Sequence, residues 1–188
     1  WDHVELTEGS YDFSETDWLL EQLRGKSIEV MFALGLKAPR WPECHLPDWA
    51  REHSPETREV ALRAYMSAII TRYRDNPNIK IWQVENEPFL RFGKECPSRV
   101  SDFLEKEIAL VRQIDPTRQI IITDGGEFGR WYKAVGAGDI FGSTMYRKVH
   151  IPSIDWLTDT VYYPFDSSFF RLKQKSIRWL TGYRDKKF

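Results

Sequence analysis

Short apolar runs alternate with longer amphipathic runs along this chain, and loops rich in Pro, Gly and aromatic residues separate them. Residues 1–6 read as the end of a strand. Ser14, with Asp17 three residues on, caps a helix that carries Leu19, Leu20 and Leu23 and stops at Gly25. Residues 27–34 form the next strand. Ser54-Pro55 opens a helix with Pro at its first position, where the missing N–H has no partner to lose. The expected apolar face of that helix is Val60, Ala61, Ala64, Tyr65, Ala68, Ile69 and Tyr73. Residues 79–84 are a strand, and a helix bearing Val100, Phe103, Leu104, Ile108, Val111 and Ile114 follows. Residues 119–123, with three Ile in a row, read as a buried strand. A short helix with Trp131 and Tyr132 leads to a strand region from Asp139 that ends near Tyr146. Residues 169–183 read as a last helix.

Strand and helix in alternation, without hairpin turn signals, predict a parallel sheet. A doubly wound sheet and a TIM barrel share that pattern. A dinucleotide-binding sheet would carry a Gly-rich phosphate loop after an early strand, and none is present. Polar and aromatic residues instead follow the strands, in loops that open on one face of a barrel. The expected fold class is therefore α/β, a (β/α)8 TIM barrel of which residues 1–188 carry about five parallel strands with their helices. The single domain expected is a partial barrel spanning residues 1–188. The sequence shows no internal repeat beyond the strand–helix unit.

Composition narrows the function classes. The 188 residues carry a net charge of −1 with no long basic or acidic run, which points away from nucleic acid and from anionic membranes. No apolar run reaches the ~18 residues that a membrane span needs. No leader is visible, and an opening on what reads as a strand end suggests that a natural start lies upstream. Eight Trp, eight Tyr and eleven Phe are an unusual load. They suit an aromatic core, and they suit a carbohydrate site, where flat C–H faces of sugars stack on rings. Cys44 and Cys96 provide no metal framework, and Cys44, His45 and His53 match no standard zinc spacing.

The run Ile81-Trp82-Gln83-Val84-Glu85-Asn86-Glu87-Pro88 carries the chemistry. A strand delivers Glu87 to its end, with an amide just before it. Cleavage of a glycosidic bond needs a carboxylic acid to protonate the leaving oxygen, and gains from a hydrogen bond to the sugar 2-hydroxyl. Glu87 suits the first task and Asn86 the second. The alternative is a surface Glu that caps the following loop.

Residues 1–13 with Asp17, residues 35–49, Arg72-Tyr73 followed by residues 81–88, residues 115–118, and residues 143–146 appear in that order. This ordered set resembles the superfamily of retaining TIM-barrel glycosidases that includes cellulases, xylanases, mannanases and some beta-galactosidases. The resemblance implies a glycosidase acting on a beta-linked oligo- or polysaccharide by double displacement. It implies Glu87 as acid/base, Asn86 as the grip on the sugar ring, and Tyr146 as the partner of a nucleophile. It implies no metal or organic cofactor. Two departures stand out. The superfamily commonly carries a His where this chain reads Leu36-Lys37 or Thr144-Met145. Its nucleophile is a Glu at the end of strand seven, and no Glu follows Glu127 here. The first, seventh and eighth strands are therefore expected to lie outside this chain, which by itself should be inactive.

In the resemblance, Cys44 and Cys96 follow strands three and four, which are neighbours in a barrel. A disulfide and two free thiols both remain open; a bridge favours an extracellular or periplasmic location. Trp41, Trp49 and Lys37 are further candidates for substrate contact. Against them stand a Pro-rich loop packed on itself and a solvated cation, the latter reading applying to Arg40 as well. Glu85 reads as a partner that tunes Glu87. Asp124 and Glu127 suit a substrate contact or a helix N-terminal acid equally, and Glu5 takes no assigned role. Two rival functions remain: a non-catalytic carbohydrate-binding barrel, and an unrelated parallel α/β enzyme in which residues 86–88 are accidental.

Overall fold

A computed structural model describes residues 1–40, 43–90, 96–127, 129–145, 148–149, 161–162 and 164–188. Four strands, β1 (Val30–Ala33), β2 (Ile79–Gln83), β3 (Gln119–Asp124) and β4 (Ile140–Ser143), form one sheet in the order β1-β2-β3-β4. Every pairing is parallel, with Phe32 opposite Trp82, Trp82 opposite Ile120, and Ile122 opposite Phe141. The strands follow one another in sequence order and the order never reverses. A doubly wound sheet reverses at its switch point; a barrel wall does not. The fold is a portion of a TIM barrel, as the alternation of elements predicts.

The helices are α1 (Ser14–Leu23), α2 (Asp48–Arg51), α3 (Pro55–Tyr73), α4 (Phe103–Ile114) and α5 (Ser167–Thr181). Ser54 Oγ accepts the Thr57 N–H at 3.2 Å, with Pro55 just inside the start of α3. Asp166 accepts from the Ser168 and Phe169 N–H groups, and Gly182 ends α5 in the left-handed conformation, φ 74°. The core is built from the sheet and the inner helix faces, with Trp82, Ile120, Ile122 and Phe141 fully buried. At the strand entrances, Asp115 accepts from Trp82 Nε1 at 2.9 Å and from Arg118 at 2.6 Å, and Arg118 also donates to the Ile79 and Asn76 carbonyls. Burial alone would raise the Asp115 carboxyl; hydrogen bonds from Trp82, Arg118 and Thr117 outweigh it and hold the group at about 2.

The structure departs from the expectations in five places. Ser14 is the first residue of α1 rather than its cap; Phe13 holds the cap position, with no side-chain hydrogen bond there. Residues 1–6 form a turn, not a strand, so the parallel sheet has four strands rather than five. The Val4 and Glu5 N–H groups bond the Trp1 carbonyl, and Glu5 accepts from Trp1 Nε1 at 2.6 Å and from the Gly9 N–H at 2.8 Å. Glu5 thus acts as the clasp of this turn. The face of α3 is only partly the expected one: Tyr65, Ile69 and Tyr73 are buried, but Val60 is 61% exposed, and Arg58, Glu59, Leu62, Met66 and Ile70 are buried as well. Arg58 is tolerated inside because it donates to the Ala50 and His53 carbonyls. The expected short helix at Trp131 is a run of turns. Finally, β5 (Lys148–Val149) and β6 (Val161–Tyr162) form a two-residue antiparallel ladder where no strand was expected.

The exit loops of β1 and β2 are joined covalently. Cys44 and Cys96 form a disulfide, with Cα atoms 5.2 Å apart. Of the residues considered for zinc, Cys44 is thereby committed; His45 Nδ1 lies 3.5 Å from Asp2 and His53 Nε2 lies 3.3 Å from Glu8. The bridge spans 52 residues of sequence, a loop whose closure entropy is worth about 4 kcal/mol in the chain-entropy account. Replacing both cysteines by Ala should lower stability by about 2–4 kcal/mol, read from urea unfolding in the absence of reductant. Adding dithiothreitol to the unmodified protein should move its midpoint toward that of the double variant.

Candidate active site

The strand exits carry the polar residues, and β2 carries the most. Beyond Gln83 the chain runs Val84, Glu85, Asn86, Glu87, all buried. Glu85 faces the β1 exit. Its carboxylate accepts the Leu36 N–H at 2.9 Å and the Lys37 N–H at 2.8 Å. Gly35 makes this possible: its φ is +82°, and a Cβ there would sit 2.3 Å from the Val84 carbonyl oxygen and 2.5 Å from the Glu85 carboxylate.

Arg99 approaches Glu85 from the other side, donating at 2.9 Å, and the same guanidinium also binds Glu59 on α3 and Glu107 on α4. One cation therefore serves three buried carboxylates. Burial raises the Glu107 carboxyl well above its usual range, with the charge of Glu85 adding to the effect and Arg99 opposing it. Burial opposes the charge of Arg99, but Glu85, Glu59 and Glu107 outweigh it and hold the guanidinium ionised. Glu85 is a member of this buried cluster and acts on the site through the β1 exit.

Asn86 is fixed at every polar atom but one. Its N–H donates to the Lys37 carbonyl at 3.0 Å. Its Oδ1 accepts from Thr123 Oγ1 at 3.0 Å and Gln83 Nε2 at 3.2 Å, and its Nδ2 donates to Glu43 Oε2 at 3.1 Å. These partners determine which end of the amide is nitrogen, and among the described residues none takes the second Nδ2 hydrogen. Glu87 sits beside it with φ 46°, in the left-handed region. Its N–H donates to Thr123 Oγ1 at 3.0 Å, and Lys37 Nζ donates to its carbonyl and to that of Leu90, each at 3.1 Å. The Glu87 carboxyl, 6% exposed, accepts from Thr144 Oγ1 at 2.7 Å. Burial raises its pKa; the Thr144 hydrogen bond and the charge of Lys37 oppose this, and the charges of Glu43 and Asp124 add to it. Lys37 is itself lowered by burial, against the surrounding carboxylates.

The other candidates fall as follows. Lys37 lies at the site but directs its ammonium at main-chain carbonyls. Trp49 donates its indole N–H to the Glu5 carbonyl at 2.7 Å and packs edge-on against Trp1 and His53. Asp124 accepts the Gly125 N–H at 2.7 Å and the Trp131 N–H at 2.9 Å, so its carboxylate clasps the β3 exit turn. Glu127 Oε1 is buried without a hydrogen-bond partner among the described residues. Trp41 and Tyr146 lie outside the described residues. A cleft of about 930 Å³ opens alongside, walled in part by Lys37, Pro88, Phe89, Asp124, Tyr132 and Lys133. Neither Asn86 nor Glu87 is among its described walls.

Two residues at the site carry no sequence signal of their own. Thr144 occupies one of the places where the resembling superfamily has a His, and it serves Glu87 directly. Glu43 lies in a loop with no periodicity, and its φ of 78° is visible only in three dimensions.

The model of the cellulase family (glycosyl hydrolase family 5) matches residues 38–162. A probable mannan endo-1,4-beta-mannosidase A-1 of Aspergillus terreus is 28% identical over 113 residues, which cover 58% of this chain and 28% of that protein. Beta-galactosidase LacZ of Lactobacillus acidophilus is 26% identical over 113 residues, 51% of this chain and 16% of its own length. The chain thus spans well under a third of these relatives. Among solved structures, native xylanase 10B from Thermotoga maritima superposes with a TM-score of 0.68 at 18% identity, covering 96% of this chain and 56% of that one. Xylanase XynB from Paenibacillus barcinonensis gives a TM-score of 0.62 at 20% identity, over 82% of this chain and 52% of its own. At such identities the likeness establishes the fold, which is that of TIM-barrel glycoside hydrolases.

Removing Arg99 would leave buried carboxylates without their cation. Arg99→Met should cost about 3–5 kcal/mol in urea unfolding, and adding Glu107→Leu should recover part of the loss. Glu87 sets a pH dependence of opposite sign to the usual carboxylate. Its native pKa is raised, so the folded state binds more protons than the unfolded chain, and stability falls as pH rises from the ordinary carboxylate range to the raised value. Glu87→Gln should match the unmodified protein in acid and have the higher urea midpoint at neutral pH.

Proposed function

We propose, for a chain that belongs to the cellulase family, glycosyl hydrolase family 5, that it forms part of a retaining glycosidase in which Glu87 is the general acid/base. The observation that carries this reading is the Glu87 carboxyl itself. It is buried, raised by that burial, oriented by Thr144, and set next to an amide whose direction is locked. A carboxyl whose surroundings favour its protonated form is what protonation of a glycosidic oxygen demands. A merely structural Glu in such a place would be paired with a cation, as Glu59 and Glu85 are with Arg99.

In the first step Glu87 gives its proton to the leaving oxygen as the bond from the anomeric carbon breaks and a second carboxylate attacks that carbon. In the second step the Glu87 carboxylate takes a proton from water, which displaces the enzyme carboxylate. Asn86 donates its remaining Nδ2 hydrogen to the sugar 2-hydroxyl, a bond that strengthens as charge develops. Lys37 holds the main chain of Glu87 and Leu90 so that the carboxyl keeps its place. We assign the nucleophile to a residue outside 1–188, with Tyr146 as its partner. The names of the relatives support a beta-linked glycan as substrate: mannan for the Aspergillus terreus protein, a galactoside for the Lactobacillus acidophilus one. The Cys44–Cys96 bridge supports an oxidising compartment, extracellular or periplasmic.

The test uses the full-length enzyme. Glu87→Gln should reduce turnover of substrates with poor leaving groups by about 10²-fold or more, the usual worth of general acid catalysis. Aryl glycosides with activated leaving groups should keep their first step, and azide should restore the second by attacking without a general base. Equal loss on every substrate with no azide effect would exclude Glu87 from proton transfer.

A further inference from the structure

Three non-glycine residues have positive φ among those described: Glu43, Glu87 and Trp131. Such conformations cost free energy and persist where the surroundings over-determine them, commonly at functional sites. Trp131 is accounted for by packing. It is 2% exposed, its N–H is held by Asp124, and its indole donates to the Gly125 carbonyl at 2.8 Å. Glu87 is the proposed acid/base. The Glu43 backbone belongs to a tight turn inside the antiparallel Lys37–Cys44 bridge, its N–H donating to the Arg40 carbonyl at 2.7 Å and its carbonyl accepting the Ala38 N–H at 2.9 Å, but its side chain is not accounted for by that turn. It is half-buried, and its side-chain hydrogen bond within the described residues is the one that Oε2 accepts from Asn86 Nδ2 at 3.1 Å. That contact brings its carboxylate to the site, close enough to act on the charges of both Lys37 and Glu87.

We propose that Glu43 is a specificity-determining residue: Oε2 aligns the Asn86 amide, and Oε1 accepts a hydrogen bond from the 3-hydroxyl of the sugar ring whose 2-hydroxyl Asn86 holds. The inference rests on the reading of Asn86 and Glu87 given above. The chemistry follows from adjacency. The 2-hydroxyl has the anomeric carbon on one side and the 3-hydroxyl on the other, so a group beside the Asn86 amide meets the 3-hydroxyl next. Glu43 supplies an anionic acceptor there, and it takes no hydrogen bond at Oε1 from any described residue. The class of ligand it fits is a neutral pyranoside with a free 3-hydroxyl. A ring branched or acylated at that position would leave the carboxylate desolvated without a donor.

The experiment is a comparison on the full-length enzyme of an aryl beta-glycoside with its 3-deoxy analogue. Glu43→Gln should lower kcat/KM on the parent glycoside by about 10- to 100-fold, the range for one hydrogen bond to a charged acceptor. On the 3-deoxy analogue, which has no hydroxyl to give, the same substitution should change kcat/KM by less than about 3-fold. Equal losses on both substrates would overturn the inference, because a purely structural role acts on both alike. Glu43→Gly is the second variant. Glycine suits φ 78°, so it should melt at or above the unmodified protein; it also frees the Asn86 amide, so both substrates should lose activity, the parent glycoside by about 10-fold more than the 3-deoxy analogue. Undiminished activity in the glycine variant would likewise overturn the inference. The Glu87→Gln azide experiment separates the two readings: if azide rescues that variant and the deoxy comparison fails, Glu43 alone loses its role.

Discussion

The Glu85 carboxylate holds the N–H groups of Leu36 and Lys37 with one face and Arg99 with the other, and the geometry of the site is transmitted through that contact. Pinning Lys37 places its carbonyl to receive the Asn86 N–H and its ammonium to cap the Glu87 and Leu90 carbonyls. Arg99 ties the same carboxylate to α3 and α4, three residues after the Cys96 bridge to the β1 exit. Strand exits that would otherwise be independent loops thereby move as one body. Position matters if Glu87 acts as proposed, because a proton donor displaced by an ångström loses much of its effect.

The same arrangement works against folding stability. A raised carboxyl, left-handed backbone at two glutamates and three carboxylates around one guanidinium are each unfavourable in isolation. The fold compensates elsewhere, with a core of Trp82, Ile120, Ile122 and Phe141 and a strand-entrance clamp of Asp115 and Arg118. Stability is concentrated at the strand entrances and in the sheet, and the unfavourable groups lie at the strand exits. That division is the one expected of a barrel, whose two ends do different work.

Much of this was readable in the residues. The alternation of runs gave a parallel sheet, and residues 81–88 gave Asn86 and Glu87, because local pattern and motif both act within a few positions. What escaped depends on partners distant in sequence. Arg58 and Glu59 score as an outer face until the Ala50 and His53 carbonyls and Arg99 are seen to receive them. Residues 1–6 alternate like a strand, but Glu5 folds them into a turn through Trp1 and Gly9. Thr144 reaches Glu87 across 57 positions, and Glu43 reaches Asn86 across 43. A loop residue with no periodicity shows nothing of such a contact in the sequence.

Several of the side chains that shape the site grip main chain rather than other side chains. Glu85 holds two N–H groups, Asp124 holds two more, Lys37 caps two carbonyls, and Lys173 on α5 donates to three, those of Gly126, Glu127 and Gly129. Every residue type but proline presents the same N–H, and all present the same carbonyl. Evolution can therefore exchange a gripped residue such as Leu36 or Leu90 without disturbing the grip, though not Gly126 or Gly129, where a Cβ would lie 2.3 Å and 2.0 Å from main-chain oxygens. Pairwise covariation among homologues will be silent about these contacts, however constant the gripping residue is. Transplanting the constellation into another scaffold would accordingly mean reproducing backbone paths, because copying the side chains alone would carry over only half of each interaction.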